Sequence, residues 1–310
     1  MRVGVILASL GRPDDLGNIL RHLKSQTQPP SAIVLSLEKP QDAPPELDPG
    51  VEVIFGPRGL CAQRNRGLDR ILPHCDVVVF YDDDFVPTAT SIEGLSQLFE
   101  KNPDIVGATG KVLADGITIG GVEYPDAKTI IETYEAQWPT VNPAPKIADV
   151  ATAYGCNMAY RAGVMQDLRF DERLPLYGWQ EDVDFAGRIR KRGRMVVTDA
   201  FAGVHCGVYR SRMPGRRVGF SQVVNPIYLM GKGSMRPSHA ISQILKNVLS
   251  NHVKAIRPEW YMDRKGRAVG NWLGVAHLLS GRADPMAVLD IDPGSAKALA
   301  DPVRPKNQRT

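Results

Sequence analysis

No apolar stretch among the 310 residues is long enough to span a bilayer, which argues against a transmembrane helix. The four cysteines, Cys61, Cys75, Cys156 and Cys206, form no C-x-x-C pair, which argues against a structural zinc site. Each sits in an apolar or mixed segment, the pattern of reduced cytosolic thiols. Neither charge sign dominates, and a net charge of +4 is too small to argue for a nucleic-acid partner. There is no internal repeat and no low-complexity tract. The opening apolar run, Val3 to Leu10, passes into Gly11-Arg12-Pro13 without a small-residue cleavage site, so it reads as a buried strand and not as a signal peptide. The chain is therefore expected to be cytoplasmic, or attached peripherally to the inner face of the plasma membrane.

What is present is an ordinary globular composition, 43% hydrophobic and 23% charged, on a chain long enough to bury a sizeable core. Continuous apolar runs at Val3–Ala8, Ala32–Leu37, Val51–Phe55 and Val77–Tyr81 predict strands buried on both faces. Between them, Leu16, Ile19, Leu20 and Leu23 mark one face of a helix that Asp14 or Asp15 can cap, and Leu60 to Leu72 reads as a helix stopped by Pro73. This rhythm predicts an α/β fold: a single Rossmann-like, mostly parallel sheet flanked by helices, with ligands beyond the carboxyl ends of the strands. Further on, Ser91–Glu100 and Glu181–Arg192 read as helices. Ile105–Val112, Asp149–Tyr160 (broken at Gly155) and Met195–Thr198 read as strands. From about Ser221 the pattern turns helical. An α/β domain is expected over 1–220, a C-terminal helical extension over 221–300 and a disordered polar tail over 301–310.

Asp82-Asp83-Asp84 directly follow the fourth strand. Alternate side chains of an extended chain point the same way, so Asp82 and Asp84 can converge on one point. Side by side they would raise each other's pKa, and a divalent cation such as Mn2+ or Mg2+ relieves that repulsion. A solvated acidic turn ahead of the Ser91 helix is the plainer alternative. Tyr177-Gly178-Trp179-Gln180-Glu181-Asp182 leads aromatics into an acidic helix start. The helix dipole alone favours acids there, but a carboxylate so placed can also act as general base on an acceptor hydroxyl. Trp179 can stack on a sugar face or fill a core. His205 is read as a satisfied core histidine unless the fold carries it to Asp84, where a neutral imidazole can ligate a metal. The cations between Arg188 and Arg194 read as a solvated helix face. Arg210, Arg212, Arg216 and Arg217 surround Met213-Pro214-Gly215 and read as a lid whose guanidinium forks suit a diphosphate.

In order along the chain, these segments resemble the family 2 glycosyltransferases, which have the GT-A fold. The similarity is carried by Val5 to Pro13 with Leu23 to Thr27, by Gly59-Leu-Cys-Ala-Gln-Arg64-Asn65-Arg-Gly67-Leu68, by Tyr81 to Pro87, by Gly155-Cys-Asn157-Met-Ala-Tyr-Arg161, by Glu181-Asp182 and by His205. The resemblance implies an inverting transfer from a nucleoside-diphosphate sugar to a hydroxyl of a glycan or lipid-linked glycan, with Asp182 as base. It implies a metal on Asp82, Asp84 and His205, and a nucleotide lined by Ser9, Arg12, Arg64, Asp82 and Asp83. Asn157, Trp179 and Glu181 would face the acceptor, and Arg210, Arg212 and Arg216 would close over the diphosphate. The usual acidic block after the second strand is replaced by Ser36-Leu-Glu38-Lys-Pro, which leaves Glu38 to read the base. The helical tail, at 225–232 and 270–282, is similar to tails of members that build bacterial surface polysaccharides.

Two other readings stand beside this one. A sugar nucleotidylyltransferase would need a glycine-rich basic loop after the first strand, where Ala8-Ser-Leu-Gly-Arg-Pro has a single glycine. A non-catalytic nucleotide-sugar binding protein would not need Asp182. The last feature is a stripe, Ile241, Ile244, Leu245, Val248, Leu249 and Val253, followed by Trp260, Tyr261, Arg264, Lys265 and Arg267. It can pack on the catalytic domain as core, or hold the chain weakly on an anionic membrane face.

Overall fold

In the computed structural model, which describes residues 1–137, 144–207 and 213–292, the early apolar runs form strands β1 (Val3–Ala8), β2 (Ala32–Leu37) and β3 (Val51–Phe55) at the predicted bounds. Helix α1 (Pro13–Lys24) buries Leu16, Ile19, Leu20 and Leu23. Asp14 and Asp15 do not cap it. Arg12 holds the cap position, Pro13 opens the helix, and both acids lie in the first turn, where the dipole favours them. Then come α2 (Leu60–Ile71), β4 (Val77–Asp82), β5 (Phe85–Pro87), α3 (Ser91–Lys101) and β6 (Ile105–Asp115). Two helices, α4 (Gly116–Ile119) and α5 (Tyr124–Gln137), lie in the stretch the sequence left unassigned. The strand expected over Asp149–Tyr160 is two strands with different partners, β7 (Ile147–Asp149) and β8 (Asn157–Arg161). Helix α6 (Glu181–Ile189) precedes β9 (Arg194–His205), far longer than the four residues predicted.

The strands form one sheet in the order β3-β2-β1-β4-β8-β6-β9-β5, with β7 added on β9. The block β3-β2-β1-β4 is wholly parallel, with Ala8 beside Asp82. The chain builds outward from β1 to β3 and then returns to the other side of β1, so strand order reverses between β1 and β4. Such a reversal opens a crevice at the carboxyl ends of the strands. Strand β8 enters antiparallel between β4 and β6. Strands β6 and β9 run parallel, which sets Asp115 beside His205, and β5 runs antiparallel to β9, which sets Phe85 opposite His205. The sheet is held against α1 and α3 by wholly enclosed side chains such as Val5, Leu16, Val79 and Leu95. Each contributes about 1.5–3 kcal/mol of burial, so the ends of β1, β4 and β9 are fixed by a core that takes no part in chemistry.

The chain divides into two units: residues 1–172 with 181–208, and residues 173–180 with 209–310. In the second, α7 (Gly215–Lys232), α8 (Pro237–Lys254) and α9 (Arg264–Leu279) pack together. Helices α7 and α9 approach closely because Gly219 and Gly270 have no Cβ: one at Gly219 would lie 2.1 Å from the Arg267 carbonyl oxygen, and one at Gly270 2.1 Å from that of Arg216. Asn251, wholly buried on α8, donates to Gln222 and Asn271 and accepts from Arg264. Arg264 is buried and also donates to Glu259. It is therefore an internal clamp and not a lipid-facing cation. Of the stripe on α8, Ile244 and Val248 are half-buried, whereas Ile241, Leu245, Leu249 and Val253 are exposed. No described helix is long and apolar enough to cross a membrane. The tail over 301–310, expected to be disordered, lies outside the described residues.

Candidate active site

The ends of β1 and β4 carry a cluster of acidic and basic side chains. Asp82 closes β4, and Asp83 and Asp84 form the turn into β5. Asp82 and Asp84 do converge, but across this turn and not by alternation along an extended strand. His205 meets them from the last position of β9. Its Nε2 lies 3.4 Å from Asp84 Oδ1 and 3.9 Å from Asp82 Oδ2. One ligand atom from each of the three residues lies within 4.8 Å of the others. The opposite ring nitrogen, Nδ1, is 3.0 Å from Asp115 Oδ1, and Tyr154 Oη donates to Asp115 Oδ2 at 2.9 Å.

That arrangement tests the fit of a cation. A carboxylate on Nδ1 requires the proton there, so a neutral ring turns its Nε2 lone pair toward Asp82 and Asp84. A lone pair and two carboxylates repel one another unless a proton or a cation lies between them. Two hard oxygen donors and one imidazole nitrogen suit a divalent cation, and a carboxylate behind the ligating histidine is the usual support for one. The three residues could hold a metal ion.

Asp83 faces the other way. It accepts from Ser9 Oγ at 2.6 Å and from Arg12 Nη1 at 2.8 Å, and burial pushes its carboxyl up against the pull of Arg12. Arg64, fully buried on α2, donates to Asp82 at 2.9 Å, to the Gly155 carbonyl at 2.9 Å and to Glu181 at the start of α6. Gly155 N–H in turn donates to Asp182 Oδ2 at 2.9 Å, and Val183 N–H donates to Oδ1 at 2.8 Å. Burial raises the Asp182 pKa. One connected network thus runs from His205 through Asp82 and Arg64 to Glu181 and Asp182. A metal-binding triad and a backbone-held carboxylate of raised pKa can polarise a leaving group and take a proton.

The family model for glycosyl transferase family 2 matches residues 5–169, more than half of the chain. The chain belongs to glycosyl transferase family 2. This glycosyltransferase has the α/β sheet and flanking helices of the GT-A fold. No curated protein sequence matches it. Solved structures of S. aureus TarS are similar in fold. The enzyme aligns with TarS 1–349 at 12% identity and a TM-score of 0.51, covering 91% of this chain and 92% of that one. With TarS 1–349 in complex with UDP the identity is 11% and the TM-score 0.52, over 94% and 90%. The enzyme spans only 44% of a longer TarS structure, at 14% identity, 83% coverage of its own length and a TM-score of 0.49.

The structure gathers Ser9, Arg12, Arg64, Asp82, Asp83, Asp84, Glu181, Asp182 and His205 of the glycosyltransferase into this network. Others are not members of it. Glu38 follows β2 and is half-buried; the acid that organises that corner is Asp42, which accepts from Gly11 N–H at 3.1 Å and Lys39 N–H at 3.3 Å. Asn157, expected to meet the acceptor, is fully enclosed on β8, and its side-chain amide has no hydrogen-bond partner. Trp179 and Arg216 belong to the second unit, where the Trp179 carbonyl accepts from Asn225 and Arg216 pairs with Asp292 at 3.3 Å. Arg210 and Arg212 lie outside the described residues. Sequence reasoning missed Asp115, Tyr154, Asp42 and Gln63, whose amide donates to both Ser9 and Ser36 carbonyls at the ends of β1 and β2. Only Gln63 fell inside a quoted motif.

Proposed function

We propose that this glycosyltransferase moves a sugar from a nucleoside-diphosphate sugar to a hydroxyl of a glycan or lipid-linked glycan by a single inverting displacement. The observation that carries the reading is the convergence of Asp82, Asp84 and His205 beside a carboxylate, Asp182, that backbone N–H groups hold in place. The crevice at the β1/β4 reversal is where such sheets bind nucleotides, and a TarS structure of similar fold is a complex with UDP. Asp82, Asp84 and His205 would hold Mn2+ or Mg2+, which when bound supplies positive charge for the leaving diphosphate. Ser9 and Arg12 border the same crevice and would position the nucleotide.

Asp182 receives the proton of the acceptor hydroxyl as its oxygen bonds to the anomeric carbon. The bond from that carbon to the diphosphate oxygen breaks on the opposite face, and the configuration inverts. Gly155 and Val183 N–H groups keep the carboxylate oriented, and each oxygen retains a lone pair for the incoming proton. Arg64 ties the base helix to the metal-binding strand through Glu181 and Asp82.

The test is nucleoside diphosphate release over a panel of UDP, GDP and dTDP sugars, with and without EDTA. Release from one donor class, abolished by EDTA and restored by Mn2+ or Mg2+, is expected. Full activity in EDTA, or of an Asp84→Ala variant, removes the cation from the reaction.

A further inference from the structure

The second unit carries an apolar surface that sugar transfer does not use. On α8, Ile241, Leu245, Leu249 and Val253 recur every four residues on the outer side, with Leu249 68% exposed. On α9, Trp272 is 65% exposed and Leu279 84% exposed. The His252 ring stands edge-on to Trp272 with centroids 6.0 Å apart, which joins the two outer faces. The inner sides are already occupied: α8 meets α7 through Asn247 and Asn251 on Gln222, and α9 meets it through Gly270 and Gly274. Exposed apolar faces of this kind are uncommon on soluble monomers and mark a contact with something else.

Charge decides what that is. No Asp or Glu occurs between Asp199 and Glu259. Residues 213–292 hold eleven Lys and Arg against five Asp and Glu. Of the acids, Glu259 is taken by Lys254 and Arg264, Asp263 caps α9, and Asp284 pairs with Arg173. Lys246 lies seven residues before Val253, and Lys265 seven before Trp272, so both cations border the apolar face. A second copy would set these cations against their own kind. Residues 293–310 offer only Leu299 and Val303 as large apolar side chains, and add four cations against one acid. A surface that is apolar beneath and negative above satisfies both features.

We propose that the outer face of α8 and α9 lies in the interface of a bilayer rich in anionic lipid. Leu245, Leu249 and Trp272 enter the acyl boundary, and Lys246, Arg257 and Lys265 meet the headgroup phosphates. The helices lie on the membrane without crossing it. The inference is independent of the transfer reading, because it is measured without turnover.

The experiment is co-sedimentation of the full chain with vesicles of phosphatidylcholine alone and with phosphatidylglycerol added, at low and high salt. Binding to the anionic vesicles that falls at high salt is expected. Replacing Lys246, Arg257 and Lys265 together by Gln should weaken it about 100-fold, since each cation near an anionic surface accounts for roughly fivefold. Replacing Leu245, Leu249 and Trp272 together by Ser removes mostly exposed side chains, and should abolish it while the chain still melts cooperatively. Recovery in the supernatant under every condition overturns the proposal. So does a concentration-dependent dimer in light scattering that the Ser variant abolishes, which would make a second copy the occupant. Binding seen only after removal of residues 293–310 would assign the face to that segment instead.

Discussion

The imidazole of His205 is held from both sides, and this is the feature a sequence shows least. Asp115 lies ninety residues away in sequence and reaches Nδ1 only because β6 and β9 run parallel with those two residues in register. Tyr154 fixes Asp115 in turn. If Asp115 sets the tautomer that frees Nε2, then Asp115→Asn should weaken Mn2+ affinity by about 10–100-fold, the usual cost of losing such a support. Titration calorimetry of Mn2+ into the nucleotide-free protein reads this directly, and unchanged affinity would leave Asp115 with a structural role only. Asp182 makes a second prediction. Burial raises its pKa, and a base acts only when ionised, so kcat/KM should fall as pH drops through a value above that of an ordinary aspartate. Asp182→Asn should retain nucleoside diphosphate binding, lose transfer by roughly 100-fold or more, and lose that acid limb. A loss under about tenfold would pass the role to Glu181 or Asp184.

At the scale of elements, local pattern and long-range pairing separate cleanly. Strands β1, β2 and β3 and the helix face of α1 follow from apolar runs and 3.6-residue spacing, so they are legible within a dozen residues. Strand β9 is not. Past Thr198 it runs through Asp199-Ala200-Phe201-Ala202-Gly203, where no apolar run continues unbroken, and it is kept extended by β5 and β6, whose pairing no local window contains. The split of β7 from β8 has the same origin. Likewise, the stripe on α8 has core-like spacing, but its width alone does not say which side faces protein. Glu259 supplies a prediction at this scale. Its hydrogen bonds from Arg264 hold its pKa down to about 2, and through Arg264 it anchors the α8–α9 connection at Asn251. A carboxyl depressed in the folded state stabilises it above the unfolded value near 4.5, and that contribution is lost as pH falls from there toward 2. Glu259→Gln should therefore melt lower at pH 7, by roughly 1 kcal/mol given the partial exposure of the pair. The difference should shrink as pH falls below 4.5 and vanish only at about pH 2. An equal deficit at both pH values would mean that shape, and not charge, does the anchoring.

Across the whole molecule, the fold class was legible because alternation of strand and helix signals leaves few arrangements of a sheet, and the order of five short motifs narrows them further. The site was legible in part, because the motifs sit at strand ends that the core fixes, whereas the residues behind them arrive from β6 and the loop before β8. This distribution has a thermodynamic consequence. Ser9 and Arg12 follow β1, Asp82 closes β4 with Asp83 and Asp84 just after it, Arg64 lies on α2 and His205 ends β9, so a nucleotide that contacts them is bound only when four separate elements are in place. Binding energy is then folding energy for the unit that holds the site. A nucleoside diphosphate at about 100 times its Kd should add roughly 2.7 kcal/mol to stability, which for a unit of this size is a rise in melting temperature of about 5–10 °C. If Asp82, Asp84 and His205 hold the cation that the diphosphate needs, the rise should require Mn2+ or Mg2+ and largely vanish in EDTA. Thermal melts with UDP, GDP and dTDP, each with Mn2+ and with EDTA, give the answer. One nucleotide that stabilises only with the metal ion names the donor's base; no shift with any of the three at millimolar concentration means that the crevice does not bind the leaving group assigned to it.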